Sequence, residues 1–177
     1  MASATVFLRP AQGGRSFPSA ANGGLVCYTG FKNNNKAQRM QLTQIIAGVD
    51  WLAVLAATVS AFILGATWYS KPVFGKVWMQ EIGLTEEAVE SANMPLTFGV
   101  TFLLQAIAAI ALSAFLVENN GWLEGLLTGL WIGGFWIASA YGVTYLFEQR
   151  SITLWLINAG YYVALFAVMG TIIGALQ

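Results

Sequence analysis

Histidine is absent from the sequence, and cysteine occurs once, as Cys27. Without histidine, the chain lacks the commonest metal ligand, the usual axial ligand of haem and the most frequent general base. A single cysteine cannot form a disulfide bond within the chain. The sequence therefore argues against metal, haem and histidine-based chemistry.

Charged residues are also scarce. They make up 9% of the 177 residues and cancel to a formal net charge of zero, while 57% of the residues are hydrophobic. A soluble domain carries about 25% charged residues. The composition therefore predicts an integral membrane protein whose first partner is the lipid bilayer. The basic residues are too few and too scattered to predict nucleic-acid binding.

The motifs that accompany common catalytic chemistry are missing as well. The sequence has no G-x-S-x-G elbow, no phosphate-binding loop, no H-E-x-x-H and no acidic metal cluster. Glu86, Glu87 and Glu90 have the spacing of a solvated helix face. We therefore expect no enzymatic activity and no bound cofactor or metal.

Residues 1–39 contain no acidic residue but five basic ones, Arg9, Arg15, Lys32, Lys36 and Arg39. Three interpretations are open: an organelle transit peptide, a true start at Met40, or a retained disordered tail. Residues 40–177 are the predicted membrane domain. It would lie in the cell membrane or, if residues 1–39 are a transit peptide, in an organelle membrane. The positive-inside rule gives opposite orientations for a retained extension and for a start at Met40.

Four apolar segments follow, at about residues 44–69, 96–117, 122–147 and 152–176. Each is close to the ~20 residues that a membrane-spanning helix needs. A barrel of four strands is not a viable spanning structure. The fold class is thus predicted to be an all-α integral membrane bundle of four transmembrane helices, with both termini on one side, called the near side.

The connection between the first two spans is long enough to hold structure of its own. FGKVWMQEI, residues 74–82, alternates apolar and polar residues and predicts a short interfacial helix that Gly83 ends. Thr85, followed by two glutamates, predicts the cap of a second short helix, which ends before Pro95.

Small residues recur every four positions on the third span. They form two adjacent faces, one of Gly125, Gly129 and Gly133, the other of Gly134, Ala138 and Gly142. Such spacing lets helix backbones approach closely in lipid. It predicts that the third span is central and touches two neighbours, or that copies of the protein associate through these faces.

Alternating spans place many polar and aromatic residues at the opposite, far side of the membrane. The candidate functional cluster there consists of Trp68, Tyr69, Lys71, Lys76, Tyr145, Glu148, Arg150 and Asn158. Glu148 is expected to form a charge network with Lys71, Lys76 or Arg150. The alternative is a belt of interfacial aromatic residues and snorkelling cations that only anchors the protein.

Two polar residues are predicted to lie inside spans. Asp50 is placed about two turns into the first span, where a charge costs ~2.5–3.5 kcal/mol and marks a functional candidate. Gln105 is expected to form a hydrogen bond between helices. Tyr141, Tyr145, Tyr161 and Tyr162 would line a polar groove or, as the favoured alternative, anchor the protein at the interface.

Two stretches carry a family resemblance. LGATWYSKPVFGKVWMQEIGLTEE and VTYLFEQRSITLWLINAGYYVALFAVMGTIIGA resemble the uncharacterised membrane family known as domain of unknown function 1761, from about Val49 to Gly174. The resemblance implies a small four-span membrane protein and brings no established activity. Asp50 stands where members often have asparagine, which argues against a role for its charge. Lys71-Pro72 replaces a more usual proline and leucine.

These observations favour a small multi-pass protein that is a structural, assembly or accessory component of a membrane complex, or a homo-oligomer. The alternative is a small-solute or proton transporter, or a channel component, that uses Asp50 and the far-side cluster. A membrane enzyme or a lipid-binding protein is the third and weakest hypothesis.

Overall fold

The structure, a computed structural model, describes residues 47–116 and 121–177. The three interpretations of residues 1–39 therefore lie outside the described residues, as does Cys27.

Helices dominate both described ranges, which contain no strand. The spans are α1 (Trp51–Trp68), α4 (Met94–Phe115), α5 (Trp122–Phe147) and α6 (Ile152–Leu176). A π-helical turn (Lys71–Gly75), α2 (Lys76–Ile82) and α3 (Glu86–Ser91) lie between α1 and α4. Each span is long and apolar enough to cross a membrane. The predicted all-α bundle of four transmembrane helices is thus confirmed.

The short helices end where their sequences predict. The hydroxyl of Thr85 accepts a hydrogen bond from the backbone N–H of Ala88 and caps α3, which ends at Ser91, before Pro95. Gly83 ends α2 with φ of 68°, a left-handed conformation that glycine adopts at little cost. The connection from α1 to α4 is therefore ordered by local capping.

Asp50 lies just before the first span, and its predicted position two turns inside is wrong. Its Oδ1 accepts hydrogen bonds from the N–H groups of Leu52 (2.8 Å) and Ala53 (3.1 Å), so that α1 begins at Trp51. Aspartate at this position satisfies N–H groups that have no partner inside the helix and faces the positive end of its dipole. The capping side chain therefore decided where the helix starts, although apolar residues precede it.

The central helix is α6, and the prediction that the third span is central is wrong. α6 packs against α1, α4 and α5, whereas α5 packs chiefly against α6. The buried core consists of Val49, Val54, Ala57, Ala61, Ala109, Leu112, Leu116, Tyr161, Leu165, Met169 and Ile173. These side chains come from α1, α4 and α6 and from residues beside them. α5 joins the bundle through a different kind of contact.

Glycines bring the backbones of α5 and α6 into contact. A Cβ atom added at Gly125 would lie 2.0 Å from the carbonyl oxygen of Gly170, and one at Gly129 would lie 2.0 Å from that of Phe166. At Gly133 it would lie 2.8 Å from a Cα atom of α6. No side chain fits at such distances, so these positions require glycine for the observed approach.

The two predicted small-residue faces of the third span are one face. Residues Ile132–Ala138 form a π-helical segment, which fits an additional residue into the turn. The face that begins at Gly125, Gly129 and Gly133 therefore continues at Ala138 and Gly142, against the same neighbour. The carbonyl of Ala138 accepts a hydrogen bond from Trp155 Nε1 of α6, and a Cβ at Gly142 would lie 3.2 Å from that nitrogen. Gly134 lies off this face, with open space beside it.

Candidate functional site

A buried amide connects three elements at the far-side end of the bundle. Tyr69, which follows α1, donates a hydrogen bond from its hydroxyl to Asn158 Oδ1 of α6 (2.8 Å). Asn158 Nδ2 donates in turn to the hydroxyl oxygen of Tyr145 of α5 (2.7 Å). Only 8% of Asn158 is exposed. The structure thus brings together three members of the predicted cluster and satisfies the polar atoms they share.

Trp68 fastens the end of α1 to α6. Its Nε1 donates a hydrogen bond to the backbone carbonyl of Ile157 (3.1 Å). Its ring lies 4.8 Å from that of Phe74 in the π-helical turn and 6.3 Å from that of Tyr161, as centroid distances. An indole that is half-buried with its N–H satisfied is a structural anchor. Trp68 therefore belongs to the bundle itself.

All five tyrosines of the described residues form one row of rings. Tyr69 packs on Tyr161, Tyr161 on Tyr162 and Tyr162 on Tyr141, each with centroids 5.1 Å apart, and Tyr141 packs on Tyr145 at 5.5 Å. The hydroxyls of Tyr141 and Tyr162 are hydrogen-bonded at 3.2 Å. Most contacts in this row are edge-to-face, which is a favoured arrangement of aromatic pairs. The row as a whole was not predicted, although all its members lie in the far-side half of their spans.

Gln105 joins this row from α4. Its Nε2 donates a hydrogen bond to the hydroxyl of Tyr161 (3.0 Å), as expected for a polar residue between membrane helices. Its Oε1 is buried and has no hydrogen-bond partner among the described residues. The polar interior at this end consequently contains tyrosine and amide groups from α1, α4, α5 and α6.

The charged residues form two separate pairs. Glu148 pairs with Arg150, one of its three predicted partners, and its predicted pairing with Lys71 or Lys76 is wrong. Lys71 donates to Glu86 (2.7 Å), while Arg150 Nε donates to Glu148 Oε2 (3.4 Å). Among the described residues, Lys76 makes no ion pair. The cap of α3 places Glu86 near Lys71, and the tight turn after α5 leaves Glu148 and Arg150 to pair locally.

Both pairs are exposed and weak. The hydrogen bond to Glu86 and the charge of its carboxylate raise the pKa of Lys71, and the same contact lowers the pKa of Glu86. The side chains of Glu148 and Arg150 are about half exposed. Ion pairs in such surroundings contribute little to stability because water screens them. They are accordingly available to other charged groups at the membrane surface.

Ser151 provides the contact that the charge network was expected to supply. Its Oγ donates a hydrogen bond to the carboxylate of Glu81 in α2 and accepts one from the N–H of Leu154 (3.1 Å), which caps α6. The connection after α1 and the turn before α6 therefore meet through a neutral hydroxyl. The signal in the sequence was a serine immediately before an apolar span, which is a common cap.

The outer side of α5 carries large aromatic side chains near the middle of the helix. Trp131 is 54% exposed, Phe135 66% and Trp136 60%, in a helix of 26 residues. Neither tryptophan donates a hydrogen bond from its indole N–H within the described ranges. Gly134 lies among them with nothing within 4 Å of an added Cβ. We call these four residues the outer aromatic face; sequence reasoning missed it.

Comparison with protein families identifies one match. The model of a family described as "Protein of unknown function (DUF1761)" matches residues 52–174, which confirms the resemblance. Neither the curated proteins nor the solved structures include a match to this chain.

Proposed function

Because the chain belongs to the DUF1761 family of proteins of unknown function, we propose a role from its own structure: a non-catalytic component of a membrane protein assembly. The outer aromatic face of α5 is the surface that contacts a transmembrane helix of the partner. The observation that carries the proposal is the exposure of Trp131 and Trp136 near the middle of a span.

Tryptophan in membrane proteins is concentrated at the interface, where its N–H reaches water or lipid headgroups. Near the middle of a span no water is available, and an unsatisfied polar group there is costly. The N–H groups of Trp131 and Trp136 have no acceptor in the described residues. A partner helix with a hydroxyl, an amide or a free carbonyl would supply one, whereas lipid tails cannot.

The shape of the outer aromatic face also suits a helix. The rings of Trp131 and Phe135 are in contact, with centroids 4.3 Å apart, and the space beside Gly134 is open. Small residues permit close helix approach in lipid, and tryptophan is enriched among the residues that dominate binding energy at interfaces. The predicted self-association through Gly125, Gly129 and Gly133 is not available, because α6 already covers that side.

The transport alternative draws no support from the described residues. Asp50 caps α1. Among the described residues of the spans and their near-side ends, the other acidic or basic side chain is that of Glu124, in the first turn of α5. Proton carriers generally rely on ionisable residues inside the membrane. The polar interior is instead built of tyrosine and amide groups.

The test is a double variant, Trp131→Leu with Trp136→Leu, compared with Trp122→Leu. Trp122 is similarly exposed (57%) but lies at the start of α5, where its N–H reaches the interface. Membranes solubilised in a mild detergent are run on native gels, and the melting temperature of each purified variant is measured.

We expect the double variant to lose the higher-mass species while its melting temperature stays unchanged, and Trp122→Leu to retain the assembly. An assembly that survives the double substitution would show that the outer aromatic face is not its contact surface.

A further inference from the structure

A groove of about 260 Å³ lies between the end of α5 and the start of α6, at the far side. Its walls include Leu146, Ile152 and Trp155, while Arg150 and Ser151 lie at its polar end. This groove is on the α6 side of α5 and is distinct from the outer aromatic face. The groove thus combines apolar walls with a charged residue at one end.

The shape of the groove is fixed by contacts already described. Trp155 is held by the hydrogen bond to the carbonyl of Ala138 (3.0 Å). Gly142 packs against the indole, where an added Cβ would lie only 3.2 Å from Nε1 of Trp155. Leu146 and Ile152 are 79% and 72% exposed, so the groove opens toward the surrounding lipid. It is therefore a preformed apolar groove on the membrane-facing surface.

Arg150 lines the mouth of the groove, and Glu148, which is not a lining residue, lies beside it as the partner of its ion pair. Arg150 Nε and Glu148 Oε2 are 3.4 Å apart, and their side chains are 47% and 49% exposed. The guanidinium group has further N–H donors and is well suited to bidentate contact with a phosphate. Both residues lie between the ends of two spans, at the level where lipid headgroups are found.

We propose that this groove binds a zwitterionic phospholipid with a primary ammonium, such as a phosphatidylethanolamine. Its acyl chain lies along the walls formed by Leu146, Ile152 and Trp155, its phosphate is bound by Arg150, and its ammonium is bound by Glu148 beside that arginine. The carboxylate of Glu148 selects the headgroup. It repels a lipid whose phosphate charge has no ammonium to compensate it, such as phosphatidylglycerol, and the quaternary ammonium of phosphatidylcholine cannot donate a hydrogen bond to it.

The experiment measures lipid binding to the purified full-length protein by native mass spectrometry. Phosphatidylethanolamine, phosphatidylcholine and phosphatidylglycerol with identical acyl chains are added separately, and each melting temperature is recorded. We expect phosphatidylethanolamine to bind most tightly and to raise the melting temperature most. Arg150→Gln should weaken its binding about tenfold, because a charge-assisted contact to phosphate is lost.

Three further variants separate this site from general lipid contact. Glu148→Gln should retain binding but lose the preference over phosphatidylcholine. Ile152→Trp should fill the groove and abolish the preference, while Leu103→Trp, at a comparably exposed position of α4 (63%), should not. The melting temperature without lipid shows whether each variant is folded.

Two results would overturn the proposal. Tighter binding of phosphatidylglycerol would mean that the site selects anionic lipid, against the role given to Glu148. Equal binding of all three lipids, unchanged in Arg150→Gln and Ile152→Trp, would leave only non-selective contact. Neither result bears on the outer aromatic face, so the two proposals fail independently.

Discussion

The two sides of α5 differ in almost every physical respect. The side toward α6 consists of small residues, Gly125, Gly129 and Gly133, whose backbone touches that of the neighbouring helix. The outer side carries Trp131 and Trp136, both more than half exposed. The inner side is already packed against α6. The outer side presents large rings and N–H donors without acceptors in the described residues.

The inner side of α5 therefore stabilises the fold, whereas the outer side is the one that we assign to association with a partner. Close backbone packing holds α5 in the bundle. Trp136 adds an edge-to-face contact with Phe115 of α4 (centroids 6.3 Å apart), but both tryptophans of the outer aromatic face stay more than half exposed. Several polar side chains of the bundle have partners, since Asn158 bonds two tyrosines and Asp50 caps its own helix, whereas Oε1 of Gln105 has none among the described residues. The N–H groups of Trp131 and Trp136 have no acceptor in the described residues, and the partner helix that we propose would supply one.

The most severe test of the comparison is a pair of matched substitutions on opposite sides of α5. Gly129→Leu should destabilise the bundle by about 3 kcal/mol or more, since its Cβ would meet the backbone of Phe166. Gly134→Leu should leave the melting temperature of the isolated protein nearly unchanged, because the space beside it is open.

Thermal unfolding in detergent measures both variants, and native gels add a second readout. Gly134→Leu is expected to weaken the assembly, because its side chain would occupy the open space through which the partner helix approaches the outer aromatic face. Equal melting temperatures for the two variants would refute the assignment of inner and outer sides.

A second substitution tests the buried amide of Asn158, which lies at the far-side end of the bundle. Asn158→Leu removes the hydrogen bonds to Tyr69 and Tyr145 and should cost about 1–3 kcal/mol, since bonds between membrane helices average ~0.6 and reach ~1.7 kcal/mol. Tyr145→Phe removes only one of them and should cost about half as much. Chemical unfolding of both variants provides the values. Wild-type stability in Asn158→Leu would mean that the buried amide is dispensable.

Two substitutions at Asp50 separate the effect of its charge on stability from the effect of its capping hydrogen bonds. Asp50→Ala should cost roughly 1 kcal/mol, as loss of an N-cap usually does, whereas Asp50→Asn retains an acceptor and should be almost neutral. The free energies of unfolding of the two variants show whether the capping hydrogen bonds or the charge stabilise the protein. Flux of protons or solutes in proteoliposomes that Asp50→Asn abolishes would restore the transport alternative instead.

The smallest effect concerns pH and the exposed pair of Lys71 and Glu86. The lowered pKa of Glu86 means that its contribution is present above the ordinary carboxyl range and is lost as pH falls through the folded pKa. The raised pKa of Lys71 means that its contribution is lost only as pH rises through the folded pKa of the amine. Stability of Glu86→Gln should therefore approach that of the wild type at low pH. A difference that grows on acidification would contradict this pairing.

Much of the fold could be read from apolar segment length. The predicted segments 96–117, 122–147 and 152–176 agree closely with α4, α5 and α6. The first span was extended too far because hydropathy carries no information about the capping contact of Asp50. The single small-residue face of α5 was not predictable, since it depends on a π-helical segment that changes the spacing from four to five.

The candidate site was predictable only where topology decides proximity. Tyr69, Tyr145 and Asn158 meet because their spans place them at one side of the membrane. The ion pairs depend on turn and cap geometry, and the role of Ser151 depends on the position of α2. Trp131 and Trp136 are visible in the sequence, but only packing reveals that they are exposed.

The most direct test of the outer aromatic face is photo-crosslinking in intact membranes. A benzophenone amino acid replaces Phe135, which is 66% exposed on that face, or Phe98 of α4, which is 49% exposed elsewhere. We predict a covalent protein adduct from position 135 and only lipid adducts from position 98. The mass of the adduct distinguishes a second copy of the chain from another protein. Lipid adducts alone from position 135 would contradict the proposed contact with a partner helix.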